Sequence, residues 1–112
     1  MKLTLDCKIV EDAAKTAQNE LENWKGDPWD PKRKEMYCQY SRQTWWSSDP
    51  LSDYKVKYVL NMLPKDKINE TAQLLGPTTY GCAVVYHRYS WLSGYSYTRG
   101  VCYYKKNGKE CA

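Results

Sequence analysis

Five cysteines, at positions 7, 38, 82, 102 and 111, constrain this chain more than any other feature. The 112 residues suit one domain, 1–112, with a modest core, so covalent cross-links carry weight in its stability. No C-x-x-C pair occurs, which argues against zinc ribbons and thioredoxin-type redox sites. A single histidine leaves a mixed Cys/His zinc site little to draw on. Cysteines at this density without a metal pattern read as disulfides, and disulfides persist in oxidising compartments. The expectation is a secreted, extracellular chain with two bridges and one odd thiol. The pairing among Cys7, Cys38, Cys82, Cys102 and Cys111 stays open; the odd thiol is free or joins two copies as a disulfide-linked dimer. Asn69-Glu70-Thr71 is an N-glycosylation acceptor pattern that agrees with secretion.

Charge and hydropathy exclude further classes. The net charge of +4 comes from 17 basic against 13 acidic residues, mixed along the chain. A nucleic-acid binder needs a basic stripe or patch, so no nucleic-acid partner is expected. No apolar run reaches the length of a membrane span. The opening Met1-Lys2-Leu3-Thr4-Leu5 is too short for the apolar core of a signal peptide, so a secreted chain of this kind has already lost its leader.

Hydrophobic spacing outlines the elements. Val10, Ala13, Ala14, Ala17, Leu21 and Trp24 form one stripe at the helical period, predicting a helix over 9–25 that Gly26 and Pro28 stop. Pro31 can open a second helix continuing through Lys32 to Trp46, with Tyr37, Tyr40 and Thr44 on one face. Residues 47–52 read as a loop. Tyr54, Val56, Tyr58, Leu60 and Met62 alternate with polar residues, Val59 excepted, which predicts a half-buried strand ended by Pro64. Lys65 to Leu75 reads as a short helix with Ile68, Ala72 and Leu75 inward, broken by Gly76-Pro77. Two β-rich runs, 80–91 and 95–105, flank a Ser/Gly turn and predict a hairpin. Cys82 and Cys102 lie about equally far from that turn. Asn107-Gly108 is a turn before a tail whose Cys111 can be pinned by a bridge. The expected fold is α+β: a small antiparallel sheet of about three strands, packed helices and disulfide bracing.

Little in this pattern marks catalysis. His87, the lone histidine, sits inside a predicted strand and reads as a solvent-facing residue. No nucleophile signature, phosphate loop or calcium loop occurs, so no cofactor and no metal are expected. The aromatic residues are more informative: 11 Tyr and 5 Trp with no Phe, bodies that bury area while keeping a polar tip. Trp45, Trp46, Tyr89, Trp91, Tyr95 and Tyr97 crowd the hairpin and the segment before the polar loop, beside Arg88 and Arg99. Tyr, Trp and Arg are the types enriched at binding hot spots. The plain alternative is that tyrosine fills the core where Phe would otherwise stand.

Three short stretches, Thr71-Ala72-Gln73-Leu74-Leu75, Tyr80-Gly81-Cys82-Ala83-Val84 and Gly100-Val101-Cys102-Tyr103-Tyr104, resemble the C-terminal part of the CAP (cysteine-rich secretory protein) superfamily. The resemblance implies secretion, an α-β-α sandwich around a three-stranded antiparallel sheet, and interaction with another organism. It carries over no metal cleft, because that cleft needs two histidines and the G-E-N motif is absent. The expected function is a secreted, non-enzymatic interaction protein, a pathogen effector or secreted antigen that binds a host or extracellular protein. A small secreted hydrolase using His87 with a carboxylate, or a carbohydrate or small-ligand binder, is the alternative.

Overall fold

The computed structural model describes residues 3–22, 31–47, 52–92 and 94–111; side chains at 20–22, 31, 32 and 89 lie outside that description. The order of elements is β1 (Leu3–Leu5), α1 (Cys7–Glu22), α2 (Pro31–Met36), β2 (Tyr37–Trp46), α3 (Asp53–Asn61), α4 (Lys65–Leu75), β3 (Thr78–Ser90) and β4 (Tyr95–Lys105). The strands form one sheet in the order β1-β3-β4-β2. β3 and β4 make the predicted antiparallel hairpin, and β2 pairs antiparallel with β4 from Tyr37↔Lys105 to Trp46↔Ser96. β1 adds a short parallel edge beside β3, a fourth strand that three residues were too few to announce.

Two disulfides brace the sheet. Cys82 and Cys102 face each other across the hairpin and are bonded, and Cys38 on β2 is bonded to Cys111 of the tail. Cys7 is the free thiol and is exposed. The turn before Cys111 has positive φ at both Asn107 (52°) and Gly108 (79°), the geometry for which Asn-Gly is suited.

Helices cover both faces of the sheet. Asp6 caps α1, its Oδ1 accepting from the Lys8 backbone N–H at 2.8 Å. The predicted stripe then docks: Ile9, Ala13 and Ala17 bury against Val101 and Tyr103 of β4 and Tyr37 of β2, with Ala83 and Val85 packed on them. Leu21 lacks a described side chain, and Trp24 with the 26–31 connector lies mostly outside the described residues. Small residues let α1 lie close to the strands. At Gly81 the approach leaves no room at all, for a Cβ there would stand 2.4 Å from the Val10 backbone nitrogen. On the opposite face Leu63 and Leu75 pack against Cys38, Tyr40, Cys102 and Tyr104. α4 turns Thr71, Ala72 and Leu75 inward, as its spacing predicts, with Ile68 half-buried.

Two expectations are corrected. The segment predicted as a long helix through Lys32 to Trp46 is helical only to Met36. Tyr37 and Cys38 are adjacent and both buried, one in each core, which a strand achieves and a single helix face does not. Tyrosine, threonine and tryptophan favour the pleated surface, and β4 offers this segment a ladder of ten paired residues. The alternating run 54–62 is a helix instead. Ser52 caps α3, its Oγ accepting from the Lys55 N–H at 3.4 Å. The buried residues Lys55, Val59 and Leu63 recur every four positions. Val59, the one breach of the alternation, is completely buried and packs on Gly100.

Tyr37 ties the layers together and makes the fold sensitive to alkali. Its hydroxyl donates to Asp12 Oδ2 of α1 at 3.0 Å, and its ring stacks on Tyr103 at 4.7 Å. Burial first, then the Asp12 carboxylate, push its pKa up from 10.0 to about 12. A raised pKa in the folded state means that stability is fully present below the unfolded value and is lost as pH rises through the folded one. Urea midpoints should therefore fall between pH 10 and 12, by about 2 kcal/mol for this group. Tyr37→Phe should lose about 1 kcal/mol at neutral pH and flatten the alkaline decline. An unchanged decline in that variant would move its origin elsewhere.

Candidate functional site

The exposed large apolar side chains of β2, α3 and the β3–β4 hairpin gather at one end of the sheet, where Trp46 pairs with Ser96 and the hairpin turns. Trp91 and Leu92 sit in the turn itself, 83% and 79% exposed. Trp45, 60% exposed, lies edge-on to Tyr95 with ring centroids 4.7 Å apart. Around the sheet margin, Tyr54 and Tyr58 of α3 are 67% and 44% exposed. Single exposed apolar side chains are ordinary on a protein surface, whereas grouped ones are characteristic of interaction sites.

Alternation along β2 divides the Trp45-Trp46 pair. Trp45 falls on the α1 side of the sheet and stays exposed. Trp46 falls on the α3 side, where its ring meets Tyr58 at 5.3 Å and Tyr54 at 6.0 Å. Its Nε1 donates to Thr98 Oγ1 at 3.0 Å, and Lys55 Nζ lies 5.5 Å from its ring centre. Trp46 thus anchors α3 and indirectly positions the two tyrosines. Trp46→Ala should cost about 3 kcal/mol by lost packing. Trp45→Ala should change stability by less than about 1 kcal/mol, because little of that ring leaves water on folding. Thermal melts of the two single variants check the contrast; equal losses would contradict it.

The other sequence candidates divide the same way. Tyr97 is half-buried on the α1 side, with the exposed His87 ring edge-on at 6.3 Å. Arg99 is half-buried and committed within the sheet: it donates to Gln43 Oε1 at 3.0 Å and to Ser41 Oγ at 3.1 Å. Arg88 is exposed on β3, and its carbonyl oxygen lies 3.1 Å from His87 Nδ1. The Tyr89 side chain lies outside the described residues. The structure therefore sets Trp45 against Tyr95, leaves Trp91 exposed in the turn, and gives Trp46, Tyr97 and Arg99 supporting places. Sequence reasoning missed Tyr54, Tyr58 and Leu92. The signal for the tyrosine pair was their four-residue spacing after a Ser52 cap.

Among the described residues no group of three His, Cys, Asp or Glu side chains could hold a metal ion. No described helix is long and apolar enough to cross a membrane. Asn69 is exposed on α4, so a glycan there would project outward. The arrangement offers stacking, apolar contact and hydroxyl hydrogen bonding. No protein-family model, no curated protein and no solved structure matches this chain.

Proposed function

We propose that this chain is a secreted, non-enzymatic interaction protein that grips a host or extracellular protein through the aromatic end of its sheet. One observation carries the reading: Trp45, Tyr54, Tyr58, Trp91, Leu92 and Tyr95 stand exposed at that end of a fold braced by two disulfides. Rigid aromatics bind at low entropic cost, since two torsions per ring must be ordered. Bridges in the sheet below keep their spacing fixed. Arg88 adds a cation at the same hairpin. The bridges also support secretion, because oxidising compartments preserve them. The distant CAP-superfamily resemblance belongs to the same proposal, as does a role in contact between organisms.

An array of extracellular proteins, probed with the oxidised chain, tests the reading. The combined W45A/W91A/Y95A variant should keep its melting temperature within a few degrees and lose affinity at least ~30-fold, the effect of about 2 kcal/mol at a hot spot. Undiminished binding by that variant would remove the aromatic end from the interface. Binding to a glycan array in place of proteins would move the reading to a carbohydrate module.

A further inference from the structure

A second surface lies along the outer edge of β2, and it has the chemistry of a strand acceptor. β2 runs for ten residues in unbroken register, at the margin of the sheet opposite β1, and contains no proline or bulge. Natural edges are usually short, bulged or covered, because an open one pairs with any strand that meets it. The phase of the ladder shows which groups point outward. Lys106 N–H donates to the Met36 carbonyl at 2.9 Å, one step beyond the Tyr37↔Lys105 pair. Opposed residues alternate between bonded and non-bonded pairs in an antiparallel ladder, so the even positions of β2 bond to β4. The close Cα spacing of Cys82 and Cys102, 4.1 Å, is that of a non-bonded pair and agrees with this phase across β4. Tyr37, Ser41 and Gln43 therefore turn their backbone N–H and C=O to the outer edge. The Ser41 carbonyl does point that way, for the Arg42 guanidinium reaches it at 2.7 Å.

A groove of about 700 Å³ follows this edge along residues 37–42. Lys34, Arg42, Lys67 and Lys106 line it, against the single carboxylate of Glu110. Self-pairing of two β2 edges would set these cations against their copies, which disfavours a second chain as the occupant. An extended segment bearing carboxylates meets the opposite field. We infer that the β2 edge takes up an extended acidic peptide of a partner protein as an added strand. The peptide backbone bonds to Tyr37, Ser41 and Gln43, its carboxylates meet the lysines, and Arg42 exchanges the Ser41 carbonyl for a partner carboxylate. This edge is separate from the aromatic end and stands or falls apart from it.

The probe is a ten-residue peptide alternating Glu and Val, compared with its Lys/Val counterpart and with an acidic copy N-methylated at alternate residues. Fluorescence polarisation with the full oxidised chain should give saturable binding of the acidic peptide in the range of about 10–100 μM. Both controls should bind at least ~10-fold more weakly, as should the K67E/K106E variant with the acidic peptide. Hydrogen exchange on the wild-type chain should slow at Ser41 and Gln43 when the peptide binds. Four results would overturn the inference: no saturable binding up to about 1 mM, equal binding of the N-methylated peptide, equal binding of the basic peptide, or slowing of the same amides on self-association without peptide.

Discussion

Replacing Cys38 and Cys111 together with serine should lower the stability of the oxidised chain by about 4 kcal/mol, more than removal of Cys82–Cys102 does. The difference follows from loop length. The Cys38–Cys111 bridge closes 73 residues and the hairpin bridge only 20. Chain-entropy scaling sets the longer loop at about 4.4 kcal/mol and the shorter at about 3.3 kcal/mol. The native contacts sharpen the contrast. Cys82 and Cys102 already stand opposite each other in a paired hairpin, so the ladder holds them when the bond is gone. Cys111 belongs to a tail otherwise held by polar contacts: the turn at Asn107-Gly108, Asn107 Nδ2 donating to Thr78 Oγ1 at 3.2 Å, the Lys109 N–H donating to the Lys106 carbonyl at 3.0 Å and the Lys109 ammonium donating to the Leu75 carbonyl at 3.0 Å. Without its bridge that tail frays, and Cys38, buried beside Tyr40, Leu63 and Leu75, gains a hydroxyl in an apolar site. Urea unfolding of the two double-serine variants measures both losses. A larger loss from the hairpin bridge would mean that strand pairing does not hold β3 and β4 in register alone.

Gly81→Ala should be nearly as damaging, although it adds a single methyl group. The new Cβ would meet the Val10 nitrogen at 2.4 Å, the Ile9 carbonyl carbon at 2.7 Å and the Val10 Cα at 2.9 Å. All three are backbone atoms, and no rotamer change relieves them. α1 must lift from β3, which opens the cluster of Ile9, Ala13 and Ala17 over Val101 and Tyr103. The expected loss is about 3 kcal/mol, the upper range for overpacking. Gly100→Ala is the control, since its Cβ would find only Val59 and Val84 methyls at 3.6 to 3.7 Å. A Gly81 variant as stable as the Gly100 one would show that α1 does not sit where the structure places it.

The elements legible in the sequence were those in which one physical signal acted alone. α1 and α4 each carry a single apolar stripe, and the hairpin joins two β-branched and aromatic runs across a turn. The two misread segments carried two compatible signals. In 54–62 the pairs Tyr54/Tyr58 and Val56/Leu60 satisfy period two and period four together. Only the buried Val59 and the Ser52 cap favour the helix. In 37–46 the helical spacing of Tyr37, Tyr40 and Thr44 coincides with a strand buried on both faces near Tyr37 and Cys38. What decides it is pairing with β4, a contact some sixty residues away in the chain. β1 depends wholly on β3 for its existence. The cysteine count was readable, but the pairing was not, because Cys38 lay in the segment read as a helix. Of the aromatic candidates, Trp45, Trp91 and Tyr95 stand exposed while Trp46 packs on α3, a division that follows from strand alternation and was hidden while 37–46 read as a helix.

Oxidised bridges hold the sheet that presents these surfaces. Intact mass after thiol alkylation, with and without reduction, tests it most directly on chain from an oxidising expression host. One label is expected before reduction, on Cys7, and five after, with peptides linked Cys38–Cys111 and Cys82–Cys102. Five labels before reduction would contradict it, and so would any bridge that includes Cys7 within one chain.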